Sequence, residues 1–251
     1  MYFRSYKRRN LRRLLTRMTD FLDIDTLLFT LWGYPMSYLE FFAVVISGLA
    51  TWLVARNNVW TWPVAVVSVI LFFFLFYQVQ LYPDMFLQVF FLITYLLGWW
   101  RWTHPGPGEA VEQQPGGARL RITRTPTRQL MVWGVAGVVS TLLLGTFATR
   151  LHLLFPVLFN QPSAFPYLDS FTTVMSIVGT FLMIGKRLEC WYVWLVVDVL
   201  STYVYFMKDV KLVSAEYFVF CFLAALGARN WTKTYRNQSK LLTVNLKKSS
   251  Y

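Results

Sequence analysis

Two tryptophans and a carboxylate inside one long apolar run, Glu189-Cys190-Trp191-Tyr192-Val193-Trp194-Leu195-Val196-Val197-Asp198, are the side chains in this sequence best suited to hold a ligand. On a helix the positions three and seven residues after Trp191 return to its face, so Trp191, Trp194 and Asp198 form one stripe. An ionisable group inside such a run is costly unless it faces protein or a water-filled cavity, which makes it a binding or pathway residue by default. A second stripe, Asp84, Gln88, Phe91 and Tyr95, follows helical spacing in an earlier run. Gln78 and Gln80 lie about 200° apart on a helix, so at most one shares a face with the site, and the deeper Gln78 is preferred. Indole faces attract a cation, while glutamine and aspartate accept hydrogen bonds from hydroxyls. The ligand these groups suit is flat, cationic and hydroxyl-bearing.

Each of these residues has a plainer alternative. Trp191 could anchor the start of its helix at a membrane interface, Gln88 could bond a neighbouring helix, and Gln80 and Asp84 read best as interfacially solvated. Asp198 could sit in a structural ion pair, although no basic residue lies at comparable depth in the other apolar runs. The sequence offers no phosphate-binding glycine loop, metal cluster or nucleophile with its base, so no catalytic residue, metal ligand or cofactor is assigned. Cys190 and Cys221 both fall in apolar runs and suggest neither a disulfide framework nor a metal site. The rival from another class is an intramembrane enzyme using Asp198 and a tyrosine.

The elements that would position these groups are membrane helices. Of 251 residues 56% are hydrophobic, 19% aromatic and 14% charged. At about 20 apolar residues per crossing, the expected spans are 36–55, 61–79, 85–102, 129–149, 167–185, 190–207 and 212–230. The runs lack a barrel strand's alternation, which predicts an all-α integral membrane protein. The net charge of +12 lies in tails and connections and reads as topology signal and lipid contact, not nucleic-acid binding. Residues 1–35 form a basic N-terminal segment, with an amphipathic surface helix expected over 1–19 and residues 20–34 a candidate eighth, short helix. Pro105, Pro107 and Pro115 mark 103–128 as a polar linker. Residues 129–150 make a lone connecting helix, 151–166 a loop and 232–251 a basic tail.

An internal repeat organises the spans. Laying 38–102 on 167–231 at an offset of 129 residues pairs Tyr38-Leu39-Glu40 with Tyr167-Leu168-Asp169, Trp62 with Trp191, Leu97-Gly98 with Leu226-Gly227 and Trp102 with Trp231, with 15 of 65 positions identical. Three helices cross the membrane and a single connector returns the chain, so the repeats enter from the same side. Such parallel repeats occur in transporters, with sites near mid-bilayer. With seven spans, fourteen basic residues fall on the side of the linker and C-terminus and ten on the other, which puts the C-terminus in the cytoplasm. The stripe Trp191, Trp194, Asp198 is not symmetric: in the repeat register Trp194 and Asp198 face Ala65 and Val69.

At these residues the sequence resembles the PnuC family, bacterial nicotinamide riboside transporters of the inner membrane. The resemblance is carried by Tyr77-Gln78-Val79-Gln80-Leu81-Tyr82, Leu87-Gln88-Val89-Phe90-Phe91, Gly98-Trp99-Trp100-Arg101-Trp102, Ala164-Phe165-Pro166-Tyr167-Leu168-Asp169-Ser170, Trp191-Tyr192-Val193-Trp194, Ala215-Glu216-Tyr217 and Gly227-Ala228-Arg229-Asn230-Trp231, over about 36–235. It implies a 3+1+3 helical fold similar to sugar-transporting SWEET proteins, homotrimers, and facilitated diffusion of nicotinamide riboside, an NAD precursor, with no enzymatic activity. By the motif match, substrate-binding roles go to Trp191, Trp194 and Gln88, beside Asp198, Tyr95 and Gln78 from the stripes. One departure is Asp198, where the resemblance leads one to expect asparagine. Related families use this scaffold for thiamine or other vitamins.

Overall fold

The computed structural model describes residues 22–31, 33–78, 82–109, 111–114, 117–154, 164–207 and 211–249. The surface helix expected over 1–19 lies outside them. Seven helices occur among the described residues: α1 (Tyr38–Ala55), α2 (Thr61–Gln78), α3 (Tyr82–Thr103), α4 (Thr127–Leu154), α5 (Pro166–Ile184), α6 (Cys190–Met207) and α7 (Lys211–Ser249). Each falls on one of the seven apolar runs. Five of them, α1, α2, α4, α5 and α6, are long and apolar enough to cross a membrane by length and composition. Two antiparallel hairpins accompany them, β1 (Leu27–Leu31) with β2 (Tyr34–Ser37) and β3 (Val111–Gln114) with β4 (Gly117–Leu120).

The chain divides into two compact units, one made of the residues up to Ala50 and Trp60–Leu96, the other of Thr51–Val59 and everything from Leu97. In the first unit the stretch read as a candidate eighth helix is corrected: its described residues hold β1, and Gly33 at φ 86 turns the chain into β2. Ser37 then caps α1, its hydroxyl accepting the Glu40 amide at 3.1 Å. The Tyr34 phenol donates to Glu40 at 2.7 Å; burial, with help from that carboxylate, pushes the phenol up to about 12, so it stays a donor. Leu39, Ala43, Leu71 and Leu75 form a buried seam between α1 and α2, flanked by Leu22 and Ile24. The Thr61 and Ser68 hydroxyls close the same contact by donating to the carbonyls of Ala50 (2.8 Å) and Ala43 (3.4 Å).

In the second unit, α4 packs on α5, α5 on α6 and α6 on α7. Lipid offers apolar side chains no gain from leaving it, so close backbone approach must supply the association. Glycines permit it. A Cβ on Gly145 of α4 would lie 2.3 Å from the Tyr167 ring, and one on Gly227 of α7 would lie 2.5 Å from three atoms of the Trp191 ring. The rest of α4 exposes Val135, Val138, Leu142 and Leu143, an apolar surface suited to lipid.

The same unit repeats its backbone detail at the 129-residue offset. α1 ends with Asn57 at φ 55, and α5 ends with Lys186 at φ 47. The amides of Asn57 and Asn58 return to the carbonyls of Val54 and Leu53, while those of Lys186 and Arg187 return to Met183 and Leu182. Both pairs make the six-to-one and five-to-two bonds of a left-handed helix stop. The indoles obey the same register: Trp231 donates to the Val54 carbonyl at 2.9 Å, and Trp102 to the Met183 carbonyl at 3.2 Å. Trp231 meets Trp191 edge-on at 5.5 Å and Trp102 at 5.9 Å, forming a buried knot of three indoles.

The polar linker and the basic tail carry secondary structure among the described residues. The linker folds into β3 and β4, its Thr123 exchanges backbone bonds with Lys186 and Leu188, and the Thr125 amide and hydroxyl both donate to Glu189. The tail from 232 continues α7, and the Gln238 amide donates to Glu112 of β3 at 2.9 Å. Lys186 is trapped beneath, 3% exposed, with its ammonium 4.1 Å from the Trp102 ring centroid. Burial pulls this lysine down to about 7, against Glu112, which favours the charge, and with Arg119, which opposes it. The unfolded chain therefore binds a proton at Lys186 that the native state gives up between about 7 and the ordinary lysine range. Stability attributable to this residue should rise with pH across that window and be absent below it. The apparent melting temperature of the wild type minus that of Lys186→Met, followed from pH 6.5 to 9.5, is expected to climb; a flat difference would contradict it.

Candidate functional site

The asymmetric stripe lies on α6. Trp194 is half-buried and lies across α5 at Gly179, where an added Cβ would meet the indole nitrogen at 3.0 Å. Backbone thus lies against the nitrogen side of the ring. The Trp194 Nε1 is buried and has no hydrogen-bond partner among the described residues. A buried indole donor left unpaired is costly, and a polar ligand atom is one way to satisfy it. Asp198, one turn further on, is 3% exposed. It belongs to neither of the ion pairs found among the described residues, Arg101–Glu109 and Arg124–Glu189. The charge that acts on it is another carboxylate, Glu216 of α7. Beside Asp198, Ser214 of α7 ties that helix to α6 by donating to the Thr202 carbonyl at 2.8 Å, and the Thr202 hydroxyl donates back along α6 to the Asp198 carbonyl at 2.7 Å.

Trp191 is placed differently from its stripe mates. It is 1% exposed, with the face of its six-membered ring over Gly227 and Trp231 set nearly perpendicular to it, leaving no open face. The i, i+3, i+7 pattern cannot separate a residue at the packed end of a stripe from one at its open end.

The second stripe lies in the other unit. On α3, Tyr95 stacks on Phe91 at 5.7 Å and meets Trp62 of α2 at 5.9 Å, while Gln88, one turn before Phe91, is buried. Gln78 is engaged elsewhere: its amide donates to the Leu22 carbonyl at 2.6 Å and the Phe74 carbonyl at 3.2 Å, and its oxygen accepts the Ile24 amide at 2.9 Å. Every group of that side chain is occupied, and the partners are backbone atoms that no sequence spacing foretells. Gln80 lies outside the described residues, as does the side chain of Asp84. Sequence reasoning overlooked Glu216 as a partner of Asp198; its signal was that it is the one acid within 212–230. No group of His, Cys, Asp or Glu that could hold a metal occurs among the described residues.

A family model described as nicotinamide mononucleotide transporter matches residues 37–233. The chain belongs to this family. It is a family of transporters, not enzymes, which closes the enzymatic reading of Asp198, and with the apolar helices it makes the chain a multi-pass membrane protein. Among its relatives, the nicotinamide riboside transporter PnuC of Escherichia coli is 29% identical over 223 residues, covering 82% of this chain and 90% of the relative. PnuC of Neisseria mucosa is 27% identical, covering 87% and 80%. The riboflavin/roseoflavin transporter RibM of Streptomyces davaonensis is also 27% identical, covering 78% and 85%. The crystal structure of the vitamin B3 transporter PnuC shares the fold, with a TM-score of 0.62 at 24% identity over 80% of this chain and 83% of that one.

Proposed function

We propose that this chain carries nicotinamide riboside across the bacterial inner membrane by facilitated diffusion with alternating access. The observation that carries the reading is membership of the family together with relatives named for that ligand over more than four fifths of the chain. The helices form a 3+1+3 arrangement of parallel repeats, as in SWEET proteins, and the chain works as a homotrimer. The matched helix stops at Asn57 and Lys186 and the reciprocal indole bonds of Trp102 and Trp231 support the repeat. The excess of basic residues around the linker and α7 supports a cytoplasmic C-terminus.

Trp194 supplies an indole face and an unpaired N–H, and Asp198 the countercharge for the pyridinium. Gln88 and Tyr95 supply an amide and a phenol for the ribose hydroxyls. Trp191 and Gln78 serve the site indirectly, Trp191 by seating α6 on α7 and Gln78 by clasping residues 22–24 to α2. The similarity to RibM favours riboflavin as a second reading, but riboflavin carries no fixed positive charge for Asp198 to meet. Titrating purified protein with nicotinamide riboside, thiamine and riboflavin while following tryptophan fluorescence tests the assignment. Saturable quenching by nicotinamide riboside is expected, weakened about fivefold in Gln88→Ala for the loss of roughly 1 kcal/mol of hydrogen bonding. Saturation by either vitamin with no response to the riboside would overturn it.

A further inference from the structure

The stretch of α7 that follows its apolar run carries more positive charge than topology alone requires, and it carries it in one place. Arg229, Lys233, Arg236 and Lys240 succeed one another at steps of four, three and four, which keeps them on one face of the helix. Together with Tyr192 of α6, Thr232 and Asn237 they line a groove of about 400 Å³ in which no side chain is acidic. Arg229, Lys233, Arg236 and Lys240 are all exposed. On the other flank of Lys233 a second hollow, of about 270 Å³, adds Arg56 from the end of α1. Cations gathered around one groove repel each other unless an anion lies among them.

The position in the fold says which anion. Arg229 comes two residues after Gly227, which is packed against Trp191 near the first turn of α6, so the groove opens where a membrane helix leaves the hydrocarbon. Tyr192, 54% exposed at its rim, has the ring-and-hydroxyl character enriched at that level. From Arg229 to Lys240 the helix rises about 16 Å, while one headgroup layer is about 5–8 Å deep. The first two cations therefore stand within the headgroups and the next two above them. The arrangement suits a phosphodiester with guanidinium and ammonium donors around it.

We propose that this groove is a binding site for the headgroup of an anionic glycerophospholipid, held by Arg229, Lys233, Arg236 and Lys240. The site is separate from the transported ligand's residues and does not depend on which ligand that is. The test is native mass spectrometry of the detergent-purified full chain mixed with equal amounts of phosphatidylglycerol and phosphatidylcholine. Phosphatidylglycerol adducts are expected to exceed phosphatidylcholine adducts at least fivefold, and the excess should vanish in the triple variant Arg229→Gln, Arg236→Gln, Lys240→Gln. The variant's melting temperature in lipid-free detergent should match the wild type, and the lysine-for-arginine changes Arg229→Lys and Arg236→Lys should keep most of the excess. Equal adducts of the two lipids in the wild type would overturn the proposal. An undiminished excess in a folded triple variant would also overturn it, as would inorganic phosphate stabilising the protein as strongly as phosphatidylglycerol at the same concentration.

Discussion

Gly227→Ala is expected to remove most of the folded protein, although it adds a single methyl group. The new Cβ would stand 2.5 Å from three atoms of the Trp191 ring. That ring cannot withdraw, because Trp231 meets it edge-on and is itself fully buried, bonded to the Val54 carbonyl and backed by Trp102. Overpacking a close-packed interior costs about 1–3 kcal/mol when neighbours can shift, and more when they cannot. The measurement is the monodisperse fraction and melting temperature in detergent, where a loss of 10 °C or more is expected. The causal claim is specific to the indole, so the double variant Gly227→Ala, Trp191→Leu should be more stable than Gly227→Ala alone. Additive losses in that cycle would show that the clash is not what matters.

The second large effect falls on transport rather than folding. Trp194→Ala and Asp198→Asn are each expected to lower saturable uptake of nicotinamide riboside about tenfold or more at low substrate. Removing an aromatic face from a desolvated cation costs about 2 kcal/mol, and tenfold corresponds to about 1.4 kcal/mol. Trp194→Phe, which keeps a face but loses the N–H, should lie between wild type and Trp194→Ala. Gly179→Ala, which presses on the Trp194 indole from beneath, should weaken uptake without touching the ligand. Asp198→Asn keeps the side chain's shape and removes the charge, so its effect should be large for the cationic riboside and small for any neutral competitor. Unchanged uptake in both Trp194→Ala and Asp198→Asn would remove these residues from the site.

The helices were legible because membrane spans announce themselves by composition. The repeat expected from Trp62 and Trp191, Gly98 and Gly227, Trp102 and Trp231 has support in the bond pairs at Val54 and Met183, which lie at its offset. What the tryptophans do was not legible. A marker tryptophan is repeated because it packs, and Trp191 is fully buried between Gly227 and Trp231, whereas the unrepeated Trp194 stays half-buried against Gly179. The hairpins were hidden for a different reason. Val111–Gln114 and Gly117–Leu120 are too short for periodicity to speak, and Gln238, which donates to Glu112, is distant in sequence. The helical tail after Trp231 is polar on most sides, so its register shows only through contacts such as Gln238 with Glu112.

Passive carriage of one ligand class is tested by uptake into proteoliposomes. Purified protein in vesicles without ATP or an imposed ion gradient should take up radiolabelled nicotinamide riboside saturably until inside and outside concentrations match. Preloaded unlabelled riboside should accelerate that uptake by exchange. No uptake of the riboside above empty vesicles, with robust uptake of riboflavin or thiamine by the same preparation, would contradict the account.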